Sequence, residues 1–256
     1  MRVINILQLI VENVGGVMKE NGPLELYDWN TQGTGPHLKV RLSNICNFKC
    51  RGCNHEYSNR FLGYRKRILL GDSDIDFDSL QTLHVSGGEP FMDYRTEWLL
   101  SEVRPHTKVT IHTNGSIYPD YKLDPQWQIA ISLNGIGPVA EFVAHSGLKW
   151  DEYKETLTIW RKNHPVYWKT NISLLNCMDY ENIVRFAYPV VTMQEGFLDI
   201  AHAHPEVKKR IPQFRRYLNS KQYRPDYRNE FLKNMGRVNK VPESLQKLTE
   251  WVKAYE

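Results

Sequence analysis

The spacing best able to do chemistry in this chain is Cys46-Asn47-Phe48-Lys49-Cys50-Arg51-Gly52-Cys53, which places three thiols within eight positions. Three thiolates on one compact loop can wrap one corner of an iron–sulfur cluster and leave one iron open to a small molecule. Structural zinc takes four ligands, so the competing reading is a zinc site completed by a remote residue. Of the four cysteines in 256 residues only Cys177 is left over, which excludes a second cluster with full cysteine ligation. So sparse a cysteine content also excludes a secreted disulfide scaffold and points to a reducing compartment.

Three further motifs follow in order. Ser86-Gly87-Gly88-Glu89-Pro90 pairs two glycines, which let backbone approach a ligand closely. Thr113-Asn114-Gly115 and Ser132-Leu133-Asn134-Gly135 come next. Each is an ordinary turn signal when taken alone. Their information lies in the order, one after each successive strand expected from β-rich sequence.

Those strands are HLKVRLS (37–43), LHVSG (83–87), KVTIHT (108–113), QIAISL (128–133), YWKTNISLL (167–175) and FLDIA (197–201). Between and after them, helices are expected over 94–104, 149–163, 179–188 and 204–218, the last bent near Pro212. Strands alternating with crossover-length segments predict parallel βαβ units. Six strands are too few for a closed eight-stranded barrel of about 250 residues. The expected fold is therefore α/β: an open six-stranded parallel partial barrel with an N-terminal extension and a helical C-terminal appendage. The corresponding division is 1–36, 37–204 and 205–256. In such folds chemistry gathers at the C-terminal ends of the strands, where the motifs lie.

The net charge of +4 is unevenly spread: residues 201–256 hold 13 Lys/Arg against 6 Asp/Glu, while residues 1–200 hold 20 against 23. The basic segment, with aromatic and arginine residues interleaved over 213–231, suits either a solvated helical face or a polyanion. No run reaches the length of a membrane span. The N-terminal MRVINILQLIVENVGGVMKE is interrupted by polar residues and reads as a short amphipathic helix, so a cytoplasmic protein is expected. Cys177 reads as a small buried hydrophobe. His112, His202 and His204 read as ordinary satisfied or surface histidines.

Taken together, the CxxxCxxC loop, the GGEP motif and the polar strand ends resemble the radical S-adenosylmethionine superfamily, over roughly residues 37–215. HLKVRLSNICNFKCRGCNHEYSNRF and FLDIAHAHPEVKKRI are similar to the twitch-containing subgroup, without its auxiliary cluster domain. The resemblance implies a single 4Fe–4S cluster on Cys46, Cys50 and Cys53, with S-adenosylmethionine chelated to the fourth iron. It implies that the Gly87, Gly88, Glu89 and Pro90 segment receives the methionyl amino group. Thr113 and Ser132 would contact the methionyl carboxylate or ribose, Asn114 and Asn134 would belong with them to the cofactor-binding set, and Lys169 and Asn171 would line the same cavity. Reductive cleavage would form a 5′-deoxyadenosyl radical that abstracts hydrogen from a peptide, protein, nucleotide or nucleic acid. The implied electron donor is external, such as a flavodoxin or ferredoxin. Gly52 departs from the pattern, since many relatives carry an aromatic residue there; Phe48 is the candidate to replace it. A non-catalytic iron–sulfur module retaining the fold is the alternative.

Overall fold

The computed structural model describes residues 27–28, 37–54, 57–61, 75–194, 198–202 and 205–219. The N-terminal helix, most of the basic tail and His204 lie outside them. Seven strands form one sheet in the order of the chain: β1 (Tyr27–Asp28), β2 (His37–Arg41), β3 (Thr82–Ser86), β4 (Lys108–Thr113), β5 (Gln128–Ser132), β6 (Val166–Ile172) and β7 (Val190–Met193). β1 runs antiparallel to β2, while β2–β7 are parallel. The end strands do not pair, so the sheet stays open as a partial barrel. The helices are α1 (Arg95–Ser101), α2 (Pro138–Ala144), α3 (Trp150–Asn163), α4 (Tyr180–Ala187), α5 (Pro205–Arg210) and α6 (Arg215–Leu218). Among the described residues no helix is long and apolar enough to cross a membrane.

The chain forms two compact units. The first comprises the described residues of Met1–Lys49, Cys53–Ile131 and Thr156–Val166. The second comprises those of Cys50–Gly52, Ser132–Glu155 and Tyr167–Glu256.

In the first unit the period-2 alternation of β2, β3 and β4 turns Val40, Leu83, Val85, Val109 and Ile111 to a buried face. Leu99 and Leu100 of α1 and Leu157 and Trp160 of α3 are likewise in the core. The opposite face of the three strands is half-buried and polar, carrying Lys39, Arg41, His84, Ser86, Thr110 and His112.

In the second unit Phe142, Val143, Ile172, Leu174 and Ile200 pack with Val207, Ile211, Phe214 and Leu218 in one apolar cluster. Residues 205–218 thus place their apolar positions in a core and leave Lys209, Arg210, Arg215 and Arg216 exposed. The helix expected over 204–218 is broken at Ile211–Pro212, where a 3-10 turn (Pro212–Phe214) separates α5 from α6.

Three sequence expectations change. The strand expected over 197–201 is not a strand where it is described, since Leu198 and Ile200–His202 form 3-10 turns. Leu198, Ile200 and Ala201 are all buried, so this run lacks the alternation of a half-buried strand; β7 lies upstream instead, at Val190–Met193. β6 stops at Ile172 rather than 175, because Asn176 Oδ1 accepts the Ser173 amide (2.8 Å) and Cys177 N–H returns to Ser173 O (2.9 Å). The short α2, opened by Pro138 at its first turn, was not anticipated.

Candidate functional site

The loop after β2 and the loop after β3 are joined backbone to backbone. Gly88 N–H donates to Ser43 O (2.9 Å) and Glu89 N–H to Ile45 O (2.7 Å). The fit demands glycine: a Cβ on Gly88 would stand 2.3 Å from Ile45 O. Cys46 follows this junction directly. Its amide donates to Asn59 Oδ1 (3.2 Å), Asn59 N–H returns to Asn44 O (2.8 Å), and Ser58 Oγ donates to Phe48 O (2.7 Å). Ser58 and Asn59 therefore brace the cysteine loop, a role their residue types alone do not announce. Phe48 itself is buried.

The third strand end closes the arrangement. Glu89 is buried, and its carboxylate accepts Thr113 Oγ1 (2.7 Å), the Asn114 amide (2.8 Å) and the Phe91 amide (3.4 Å). Asn114 Nδ2 reaches Asn47 Oδ1 (2.9 Å) and lies 3.9 Å from Cys46 Sγ. Asn47 Nδ2 donates to Ser116 Oγ (2.8 Å), which donates to Asn114 Oδ1 (2.6 Å). Pro90 opens a 3-10 turn, and its carbonyl accepts Thr96 Oγ1 at 2.6 Å. The structure thus brings Cys46, Gly87–Pro90, Thr113 and Asn114 into one network at the ends of β2, β3 and β4.

Beneath it lies a buried ion pair. Arg95 grips Asp93 with two bonds, Nε to Oδ1 (2.9 Å) and Nη2 to Oδ2 (2.8 Å), and its Nη2 also donates to Leu42 O. The first turn of α1 thereby holds the end of β2 from which the cysteine loop departs.

Burial dominates the titration of the site. It pushes the Cys46 thiol up to about 12, helped by the Glu89 and Cys53 charges and opposed by the Phe48 amide and Asn114. It also raises Cys53. Glu89 is pushed up to about 7 by burial, against the three hydrogen bonds it accepts.

In the second unit Arg51, beside Cys50, is fixed to the end of α2: its amide donates to Val143 O (2.9 Å) and its Nε to Phe142 O (3.0 Å). Asn134 Oδ1 accepts the Asn171 amide (2.8 Å), and Asn171 Nδ2 donates to Gln194 Oε1. Asn176 Nδ2 ties the Asn134 and Asn171 carbonyls at 3.0 Å each. Lys169 and Asn171 share the half-buried face of β6, and Ser132 is exposed at the end of β5. Asn176 and Gln194 were not singled out in the sequence, where an amide side chain carries no positional signal. Cys177 is fully buried in the apolar cluster, its thiol pushed up to about 12 by burial.

None of the four cysteines is in a disulfide, and Cys46, Cys50 and Cys53 are half-buried. Among the described residues no three His, Cys, Asp or Glu side chains converge on one ion. The donor set, three cysteine thiols on one loop and none in a disulfide, is of the chemistry that a cluster corner takes.

No protein-family model matches the chain, and no curated protein matches it. Among solved structures it is similar to native anSMEcpe with bound AdoMet and a Kp18Cys peptide, at 14% identity and a TM-score of 0.46. That likeness covers 77% of this chain and 57% of the other. It is also similar to native anSMEcpe with bound AdoMet, at 13% identity and a TM-score of 0.43, covering 60% and 50%. The chain thus spans 57% and 50% of the length of these two structures.

Proposed function

We propose that this chain is a radical S-adenosylmethionine enzyme built on one 4Fe–4S cluster. The observation that carries the reading is the joining of the cysteine loop, the Gly-Gly-Glu-Pro loop and the Thr-Asn-Gly end at three adjacent parallel strands, around Cys46. Cys46, Cys50 and Cys53 would hold the cluster. When both are bound, cluster and S-adenosylmethionine supply one-electron cleavage of the sulfonium and hydrogen abstraction from a substrate.

The chain's own part is positioning. With the Gly88 and Glu89 amides spent on Ser43 and Ile45, the loop offers a ligand the carbonyl oxygens of Gly87 and Gly88, suited to an ammonium group. Thr113 and Asn114 hold Glu89 beneath that loop, and Asn114 stands against the sulfur of Cys46. In the second unit the amide-rich ends of β5 and β6, Asn134 and Asn171, are locked by Asn176. The substrate is a peptide, protein, nucleotide or nucleic acid, and the electron donor a flavodoxin or ferredoxin.

The test is anaerobic reconstitution of the full chain with iron and sulfide, followed by reduction and addition of S-adenosylmethionine. A paramagnetic reduced cluster and release of 5′-deoxyadenosine are expected. Both should be lost in the Cys46→Ala/Cys50→Ala/Cys53→Ala variant while the fold persists. A fully loaded cluster that leaves the cofactor intact overturns the reading in favour of a non-catalytic iron–sulfur module.

A further inference from the structure

Arg51 directly follows Cys50 and stands two residues before Cys53 in sequence. In the second unit the C-terminal end of α2 holds it by backbone and side chain together. Its amide donates to Val143 O (2.9 Å), its Nε to Phe142 O (3.0 Å) and its Nη2 to His145 Nδ1 (2.8 Å). The guanidinium carbon also stands 4.3 Å from the centre of the Phe142 ring. The last carbonyls of a helix lack intrahelical donors, and the negative end of the helix dipole favours a cation. Phe142 and Val143 supply such carbonyls, and Arg51 satisfies both.

His145 is the less expected member. It caps α2 with a left-handed backbone, φ 46° and ψ 39°, while its N–H donates to Glu141 O (3.2 Å). Glycine or asparagine ordinarily takes that position, because most side chains are strained there. The residue is exposed, so core packing does not account for the imidazole. A guanidinium has donors only, so Nδ1 is the acceptor and the ring proton sits on Nε2. The imidazole thus supplies Arg51 with an acceptor that a glycine cap would lack.

We propose that His145 is a positioning residue: through Arg51 it fixes the Cys50 arm of the cysteine loop to the end of α2, ready for the cluster. The inference rests on the proposed function for the cluster, and on the geometry of the second unit for the anchor. A ligand arm already ordered in the empty protein has little ordering entropy left to lose when metal arrives.

The experiment first follows alkylation of Cys50 and Cys46 by iodoacetamide in the cluster-free full chain, read by mass spectrometry. In the parent, Cys50 should react more slowly than in the urea-unfolded chain. In His145→Gly the Cys50 rate should rise about tenfold, the ratio that one hydrogen bond from a charged donor carries, with the Cys46 rate unchanged. Glycine suits the left-handed backbone, so the urea midpoint of this variant should match the parent. His145→Asn tolerates the same backbone and returns an amide oxygen as acceptor, so it should restore slow alkylation. In Arg51→Met, adding His145→Gly should change the Cys50 rate no further, because His145 acts through Arg51. After reconstitution, His145→Gly should lose iron to a chelator faster than the parent or His145→Asn. A parent that takes up no iron and sulfide overturns the proposed function and this inference with it. A loaded parent overturns the inference alone if Cys50 is as protected in His145→Gly as in the parent, or is unprotected in the parent itself. So does a Cys46 rate that rises with that of Cys50 as the midpoint falls, which makes His145 part of the general fold, or a further rise in the Arg51→Met background.

Discussion

Replacing Arg95 by Met probes the buried pair under the cysteine loop. The Arg95 and Asp93 side chains are only 8% and 2% exposed. Burial by itself pushes the Asp93 carboxyl up, but the Arg95 bonds and charge, with help from Ser43, hold it below its ordinary value of 3.8. Arg95→Met strands that carboxylate without its cation and leaves Leu42 O without its donor. Removing one member of a buried pair costs about 3–5 kcal/mol. At about 2–4 °C per kcal/mol for a chain of this size, Tm should fall by roughly 6–20 °C. The sign of the pH dependence is diagnostic. In the parent, a depressed carboxyl contributes stability above pH 3.8 that is lost as pH falls through its lower folded value. In Arg95→Met burial is opposed only by Ser43 and the residue 95 amide, so the carboxyl titrates above its value in the parent and that stability is lost at higher pH. The gap between the two proteins should therefore widen from pH 4 to pH 7. Adding Asp93→Asn, which removes the stranded charge and keeps an acceptor for the residue 95 amide, should restore at least half the loss. Urea unfolding of the three proteins at pH 4 and 7 measures all of this. A gap below about 1 kcal/mol at pH 7, or one that does not change with pH, would refute the argument.

Glu89→Gln tests the other buried acid. A folded value of about 7 against an ordinary 4.5 makes parent stability fall between those pH values, by up to about 3 kcal/mol; urea midpoints at pH 4.5 and 7.5 should show that fall in the parent and not in the variant. Gly88→Ala forces a Cβ into Ile45 O, so Tm and the iron and sulfide taken up on reconstitution should both drop, whereas Gly137→Ala, which meets no atom within 4 Å but is strained by its φ of +54°, should lower Tm and leave iron uptake intact. Cys177 should resist alkylation by iodoacetamide until the protein is unfolded, read by mass spectrometry, and Cys177→Ala should leave the iron content unchanged.

The sequence was most legible where polar and apolar residues alternate on one strand. KVTIHT is a strand over its full expected range, and the strands through LHVSG and QIAISL are shifted by at most one residue at either end. It misled where apolar character lacked a period. Leu198–Ala201 is apolar because it fills a core, while β7 hides in Val190–Met193, whose exposed and half-buried positions offer little hydrophobic contrast. The site divides the same way. Gly88 and Glu89 were singled out for approach to a ligand, whereas the close approach that the structure shows at Gly88 is to the chain's own Ile45 O. Arg95 sat unnoticed in a helix where a charged residue ordinarily faces solvent, because only three-dimensional packing brings Asp93 and Leu42 to it.

The junction of Gly88 with Ile45 has a consequence for anyone exchanging parts of this protein. Two loops whose backbones touch this closely share a single length specification, so an insertion in one cannot be absorbed without moving the other. Residues 43–46 and 86–89 therefore behave as one heritable cassette, split across two places in the chain. Grafting the cysteine loop onto another parallel sheet should succeed only when the glycine loop travels with it, onto the strand next door.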